Sequence, residues 1–149
     1  MVICGKTYIM LNPKDFRIGN WVNHKKENKP YQIQTLSIHP ENRDMCMVLF
    51  GFTPHCTLDD VEPVLISPEI LEANGFFNCG YGFTKRNSYG DIVSLREIYS
   101  PYGTGNIGFV YRVNYPDGLF AIRTLKYVHD LQNIFYILRQ EELEINLAP

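Results

Sequence analysis

Phe109-Val110-Tyr111-Arg112-Val113-Asn114-Tyr115, then Pro116-Asp117-Gly118, then Leu119-Phe120-Ala121-Ile122-Arg123 is the stretch that decides the fold. Phe109, Tyr111, Val113 and Tyr115 alternate with Val110, Arg112 and Asn114, the two-residue period of a pleated strand. Tyr115-Pro116-Asp117-Gly118 carries turn chemistry, so the two runs form a β-hairpin. The period then changes. From Leu125 to Leu143, Val128, Leu131, Phe135 and Leu138 recur at three and four residues, widened by Tyr127, Ile134 and Ile137. That is an amphipathic helix, with Thr124 as its expected N-cap.

Working toward the N-terminus, Ile92 to Tyr99 reads as another strand, with Val93, Leu95, Glu97 and Tyr99 sharing one face. Val61 to Phe76 is the best-punctuated segment. Ser67 is placed to cap a helix that Pro68 opens, and Ile66 and Leu71 are spaced for a hydrophobic staple. Gly75 fits the left-handed position after the last turn, with Phe76 returning to Leu71. A two-turn helix over 68–74 follows.

The first third is β-rich, over 14–57. Gly19-Asn20 signals a turn before Trp21-Val22, and Asn23 to Pro30 reads as a polar hairpin loop. Tyr31 to Ile38 alternates and then changes parity, which predicts a bulge or a twist. His39 to Asp44 is the next turn. Met45 to Phe52 is apolar apart from Gly51, which suits a strand buried on both faces. The expected fold class is α+β in a single domain over 1–149. It comprises a small antiparallel N-terminal sheet (an SH3-like barrel is one form), a linking helix, a second antiparallel hairpin or sheet over 77–123, and a packed C-terminal helix over 124–143.

At 149 residues the chain buries enough surface to fold without metal or disulfide staples. Fourteen basic against sixteen acidic residues give a net charge of −2, which argues against gripping duplex nucleic acid by bulk charge. No window approaches a membrane span. The opening residues lack a basic region and a cleavage site, so no signal peptide is expected, and Met10 is an alternative start. Cys4, Cys46, Cys56 and Cys79 are scattered, as expected of reduced thiols in a cytoplasmic protein.

Several residue sets invite chemical readings. His129, Gln132, Asn133, Tyr136 and Gln140 share one helix face and bring imidazole, amide and phenol groups, a set suited to hydrogen-bonded recognition. The competing reading is a helix flank whose polar groups bind neighbouring backbone. Gly80-Tyr81-Gly82-Phe83 resembles the centre of an RNA-recognition segment, although Cys79 and Arg86 depart from its flanks. Tyr81, Phe83, Lys85 and Arg86, with Arg96 and Arg112 nearby, are therefore candidates for stacking single-stranded nucleic acid, opposed by Asp91, Glu97 and Asp117 in the same region and by a reading as aromatic core.

Gly103-Thr104-Gly105-Asn106-Ile107-Gly108 matches a dinucleotide fingerprint in letters only, because a strand and not a helix follows it. His39, Cys46, His55 and Cys56 lack zinc spacing, so no metal and no cofactor are expected.

Three segments together resemble a group of small proteins of Bacteroidetes genomes and their phages or mobile elements. They are Arg17-Ile18-Gly19-Asn20-Trp21-Val22, then Pro63 to Leu71 with Asn74-Gly75-Phe76, then Tyr127 to Phe135 with Glu142-Leu143. The resemblance implies that His129, Gln132 and Asn133 define the type, and it implies no activity. The leading functional expectation is a non-enzymatic interaction module with a protein partner. A single-stranded nucleic-acid accessory protein is the alternative, and a small hydrolase or transferase using His129 is the third.

Overall fold

The computed structural model describes residues 11–38, 45–86, 92–103, 105–115 and 118–147. Among these residues, two five-stranded antiparallel sheets pack with one short α-helix and one C-terminal α-helix, a mixed α+β architecture dominated by strands.

The first sheet contains β1 (Trp21–His24), β2 (Lys29–Ile38), β3 (Met45–Leu49), β4 (Phe52–Thr57) and β5 (Val61–Pro63). β1 to β4 form a meander. A 3₁₀ turn at Leu58–Asp60 then returns β5 to the other edge of β1. The resulting order is β4-β3-β2-β1-β5. The anticipated bulge in β2 falls between Ile33 and Thr35, and a second register shift lies between Met47 and Leu49. Both bend the sheet into a half barrel around Val22, Ile33, Met47, Leu49, Cys56 and Val61.

Two expectations about this sheet need correction. The polar loop is shorter than 23–30, because Asn23-His24 belong to β1 and Lys29-Pro30 to β2. The run from Met45 to Phe52 is two strands joined by a tight turn at Phe50-Gly51. Leu49 pairs with Phe52, and β3 buries only Met45, Met47 and Leu49 on one face. Phe50, at the turn, is exposed. The turn expected at 39–44 lies outside the described residues.

Helix α1 (Pro68–Ala73) links the sheets and is punctuated as the sequence demands. The Ser67 hydroxyl accepts from the Ile70 N–H at 3.2 Å. At the other end, Phe76 N–H donates to the Leu71 carbonyl and Gly75 N–H to that of Glu72, the paired bonds of a Schellman stop. Gly75 sits at φ +82°, where a Cβ is strained.

The second sheet contains β6 (Phe77–Asn78), β7 (Gly82–Arg86), β8 (Ile92–Tyr99), β9 (Asn106–Tyr115) and β10 (Gly118–Leu125), in simple sequential order. The β9–β10 hairpin forms where it was expected, and its turn residues 116–117 lie outside the described ones. The strands β6 and β7 had no clear alternation in the sequence.

Helix α2 spans Val128–Arg139, shorter than 125–143. Thr124 does not cap it, because β10 runs on to Leu125, which pairs with Phe109. Tyr127 is the N-cap and is held extended by a bridge to Leu65. The Val128 N–H, an otherwise orphaned helix donor, finds the Val64 carbonyl at 2.8 Å. α2 buries Val128, Leu131 and Phe135 but also His129 and Gln132, while Ile137 and Leu138 are exposed. The apolar stripe is therefore one turn shorter than its spacing suggests.

Beyond α2 the chain runs extended, burying Leu143 and Ile145 and exposing Glu142, Glu144 and Asn146. Asn146 is docked against Asn74. Its N–H donates to Asn74 Oδ1 at 2.7 Å. The second core joins Phe83, Val93, Leu95, Phe109, Tyr111 and Leu125 of the sheet to both helices and this C-terminal strap. Trp21 belongs to that core, whereas its neighbour Val22 belongs to the first, because successive strand residues face opposite sides.

Candidate functional site

The polar stripe of α2 lies against the chain's own residues 15–21. The His129 ring contacts the Phe16 ring at 4.6 Å and stacks on Tyr127 at 5.7 Å with an interplanar angle of 7°. Gln132 accepts from the Trp21 N–H at 3.0 Å and donates to the Gly19 carbonyl at 3.0 Å. Asn133 Oδ1 accepts from Asn20 Nδ2 at 2.9 Å and from Arg17 Nε at 3.2 Å, and its amide donates to the Asp15 carbonyl at 2.8 Å. The Arg17 guanidinium lies 4.2 Å from the centre of the Tyr136 ring. Of the five candidate residues only Gln140 stands apart. It ends the helix in the left-handed conformation and donates to the Ile137 carbonyl.

Local chemistry prepares this joint. The Arg17 N–H donates to Asn20 Oδ1 at 2.8 Å, folding residues 17–20 into a turn that presents the Asn20 amide and Arg17 together. Arg17 then reaches Glu142 with two nitrogens, at 2.5 and 3.1 Å, a bidentate pair at the start of the strap. The indole of Trp21 donates to the Ile145 carbonyl at 2.7 Å. The three segments that carry the resemblance thus meet at one place: Arg17 to Trp21, the helix stripe with Glu142-Leu143, and Asn74, whose side chain pairs with the Asn146 backbone. A cleft of about 660 Å³ opens beside the joint, lined by Ile18, Gln32, Lys85, Glu142 and Glu144 among others.

Sequence reasoning identified the stripe but missed its counterpart, namely Arg17, Asn20, Trp21 and Glu142. The alternation Leu143-Glu144-Ile145-Asn146-Leu147 was the available signal for an extended strap.

The nucleic-acid candidates separate. Phe83 is wholly buried, edge-on to Phe109 at 6.1 Å, and its ring has no face to offer a base. Lys85 donates to the Asn74 carbonyl at 2.8 Å. Tyr81 is 66% exposed and Arg86 is exposed. Strand register places Arg86 on the same face as Arg96 and Arg112, opposite the core-facing Phe83, Leu95 and Tyr111.

Of the zinc candidates, His55 is exposed, Cys56 is buried, and Cys46 lies on the face of β3 opposite Met47, which pairs with Cys56. His39 and Cys4 lie outside the described residues. Among the described residues no three His, Cys, Asp or Glu side chains are grouped to hold a metal, and no helix is long and apolar enough to cross a membrane. The glycines at 103, 105 and 108 lead from a loop into β9, with no helix after them, and Thr104 lies outside the described residues.

Burial raises the Cys56 thiol above its ordinary range, and the Asp60 carboxylate adds to the effect. Burial likewise raises the Tyr111 phenol, against an opposing influence from Arg139. Comparison with protein-family models, curated proteins and solved structures returns no match.

Proposed function

We propose that this protein is a non-enzymatic interaction module of the cytoplasm, of the kind carried by Bacteroidetes genomes and their mobile elements. One observation carries the reading: the groups on α2 that resemble a reactive set are engaged inside the fold. His129 is 3% exposed between two aromatic rings, and the amides of Gln132 and Asn133 hold residues 15–21. General acid–base chemistry needs a group within reach of a substrate proton, and a sealed imidazole lacks that reach. The described cysteines, Cys46, Cys56 and Cys79, are free thiols, which suits a reducing compartment.

The test is histidine acylation of the native protein by diethyl pyrocarbonate, read site by site by mass spectrometry. The exposed His55 should react quickly and His129 only after denaturation. If His129 reacted natively at the rate of His55, the hydrolase or transferase reading would take precedence.

A further inference from the structure

Resting on the non-enzymatic reading above, we propose that the open face of the second sheet binds the backbone of single-stranded nucleic acid. Pairing across β7, β8, β9 and β10 aligns Gly82, Arg96, Val110 and Thr124 in one row. Thr84, Ser94 and Arg112 form the next row. Arg86 continues the face along β7. Arg96 and Arg112 are diagonal neighbours on adjacent strands, roughly 7–8 Å apart by sheet geometry.

The two sides of the sheet differ in kind. On the inner side Phe83, Val93, Leu95, Phe109 and Tyr111 are buried. On the outer side no described side chain is buried: Arg86, Arg96 and Thr124 are exposed, and Thr84, Ser94, Val110 and Arg112 are half-buried.

Charge decides the occupant. Among the described residues none of the three guanidinium groups pairs with a carboxylate, and no Asp or Glu stands in these rows. The nearest acid along β8, Glu97, has the opposite parity and accepts from the Tyr99 hydroxyl. A chain of net charge −2 thus gathers arginines, and among the described residues no carboxylate, in these rows of one sheet face. Guanidinium forks match phosphate oxygens bidentately, and the Thr84, Ser94 and Thr124 hydroxyls add donors between them.

Three cations are few for duplex DNA, whose non-specific grip rests on many phosphate contacts. A single strand can add stacking to the charge. Tyr81, 66% exposed, stands in the turn just before β7, level with Glu97, whose N–H donates to its carbonyl at 3.3 Å, and so at the rim of the arginine face and not within its rows. Its ring is available to a base.

The experiment is fluorescence anisotropy of labelled oligothymidylate and oligouridylate of about 15 nucleotides, titrated with the full chain at several salt concentrations. Three phosphate contacts predict a slope of log K against log salt of about −2. Joint Arg96→Gln and Arg112→Gln substitution should weaken binding at least about tenfold at low salt and flatten the slope to about −0.7. Tyr81→Ala should weaken binding about tenfold with the slope unchanged. Lys25→Gln with Lys26→Gln, in the turn between β1 and β2 of the other sheet, should change neither. The exposed Arg96, Tyr81, Lys25 and Lys26 should leave the melting temperature in place, and Arg96→Lys should retain the slope if substitution of the half-buried Arg112 perturbs folding.

Absence of binding at low salt would overturn the proposal, as would binding indifferent to the arginines. Equal, arginine-dependent binding of polyglutamate would overturn it in favour of an acidic protein surface. Each of these results is independent of His129 acylation, so failure of the partner assignment and failure of the non-enzymatic reading are distinguishable.

Discussion

The side-chain amide of Gln132 pairs with the backbone at Trp21 as one peptide unit pairs with a strand edge. It accepts from the Trp21 N–H and donates to the Gly19 carbonyl, both at 3.0 Å. β5 covers β1 only from Val22 to His24, so the Trp21 N–H has no strand beside it, and Gln132 takes that place. Removing the amide leaves a buried donor unpaired, which costs about 1–3 kcal/mol, with a cavity term on top. Gln132→Ala should therefore lower stability by about 3 kcal/mol in urea titrations. Trp21 is the chain's single tryptophan, so its fluorescence reports the joint directly.

Asn133 and Glu142 should differ in consequence although both bind Arg17. The Arg17–Glu142 pair is open to water, with the Glu142 side chain 55% exposed, so Glu142→Gln should cost under about 1 kcal/mol and less at high salt. Asn133 joins Asp15, Arg17 and Asn20 at once, and Asn133→Ala should cost about 2 kcal/mol with little salt dependence. Thermal melts at two ionic strengths check both.

Two glycines test two different constraints. Gly75→Ala should cost about 1 kcal/mol, because φ +82° strains a Cβ while leaving it ample room. Gly82→Ala should cost more, since its Cβ would lie 2.2 Å from the Leu95 carbonyl oxygen and force β7 away from β8. Comparable melting temperatures for the two variants would contradict the close approach of these strands.

Phe135→Ala should destabilise by about 3–5 kcal/mol, because the ring is 4% exposed in the core shared by α2, the second sheet and the strap. Leu138→Ala, one turn on and 38% exposed, should be close to neutral. Denaturant midpoints for the pair fix the orientation of the helix.

Stability should fall in alkali. Cys56 and Tyr111 have raised pKa values in the folded protein, mainly through burial. The unfolded chain releases these protons at ordinary values, so it is favoured first as pH rises. Their contribution is complete below about pH 8 and declines from about pH 8.5 upward, through the thiol range and then the phenol range. Urea midpoints at neutral and alkaline pH check this, and Cys56→Ala should remove the earlier part of the decline.

Local signals carried the elements well where backbone rules operate within a few residues. Ser67, Pro68, Gly75 and Phe76 fixed α1 through caps and a Schellman stop, and the alternation of Phe109 to Tyr115 fixed a strand of the hairpin. Boundaries failed where a distant partner decided them. Leu125 reads as helical by spacing, yet its pairing with Phe109 keeps it in β10, and the Leu65 bridge holds Tyr127 extended. Strands β6 and β7 escaped notice because glycines and polar residues interrupt their period.

The candidate site divides in the same way. Helical geometry alone put His129, Gln132, Asn133 and Tyr136 on one face. Which surface that face meets is not encoded in its spacing. The burial of Phe16 and Trp21 and the turn held by Asn20 set residues 15–21 against it, and the stripe became a joint within the chain. Likewise the sequence shows arginines at 86, 96 and 112 in three separate strands, without a relation among them. Only antiparallel register, set by which residues bury in the core, brings them to one open face. Composition, caps and periodicity determined the α+β class and most elements, because those are short-range properties of the chain. The faces, and what each side chain touches, were decided by long-range packing.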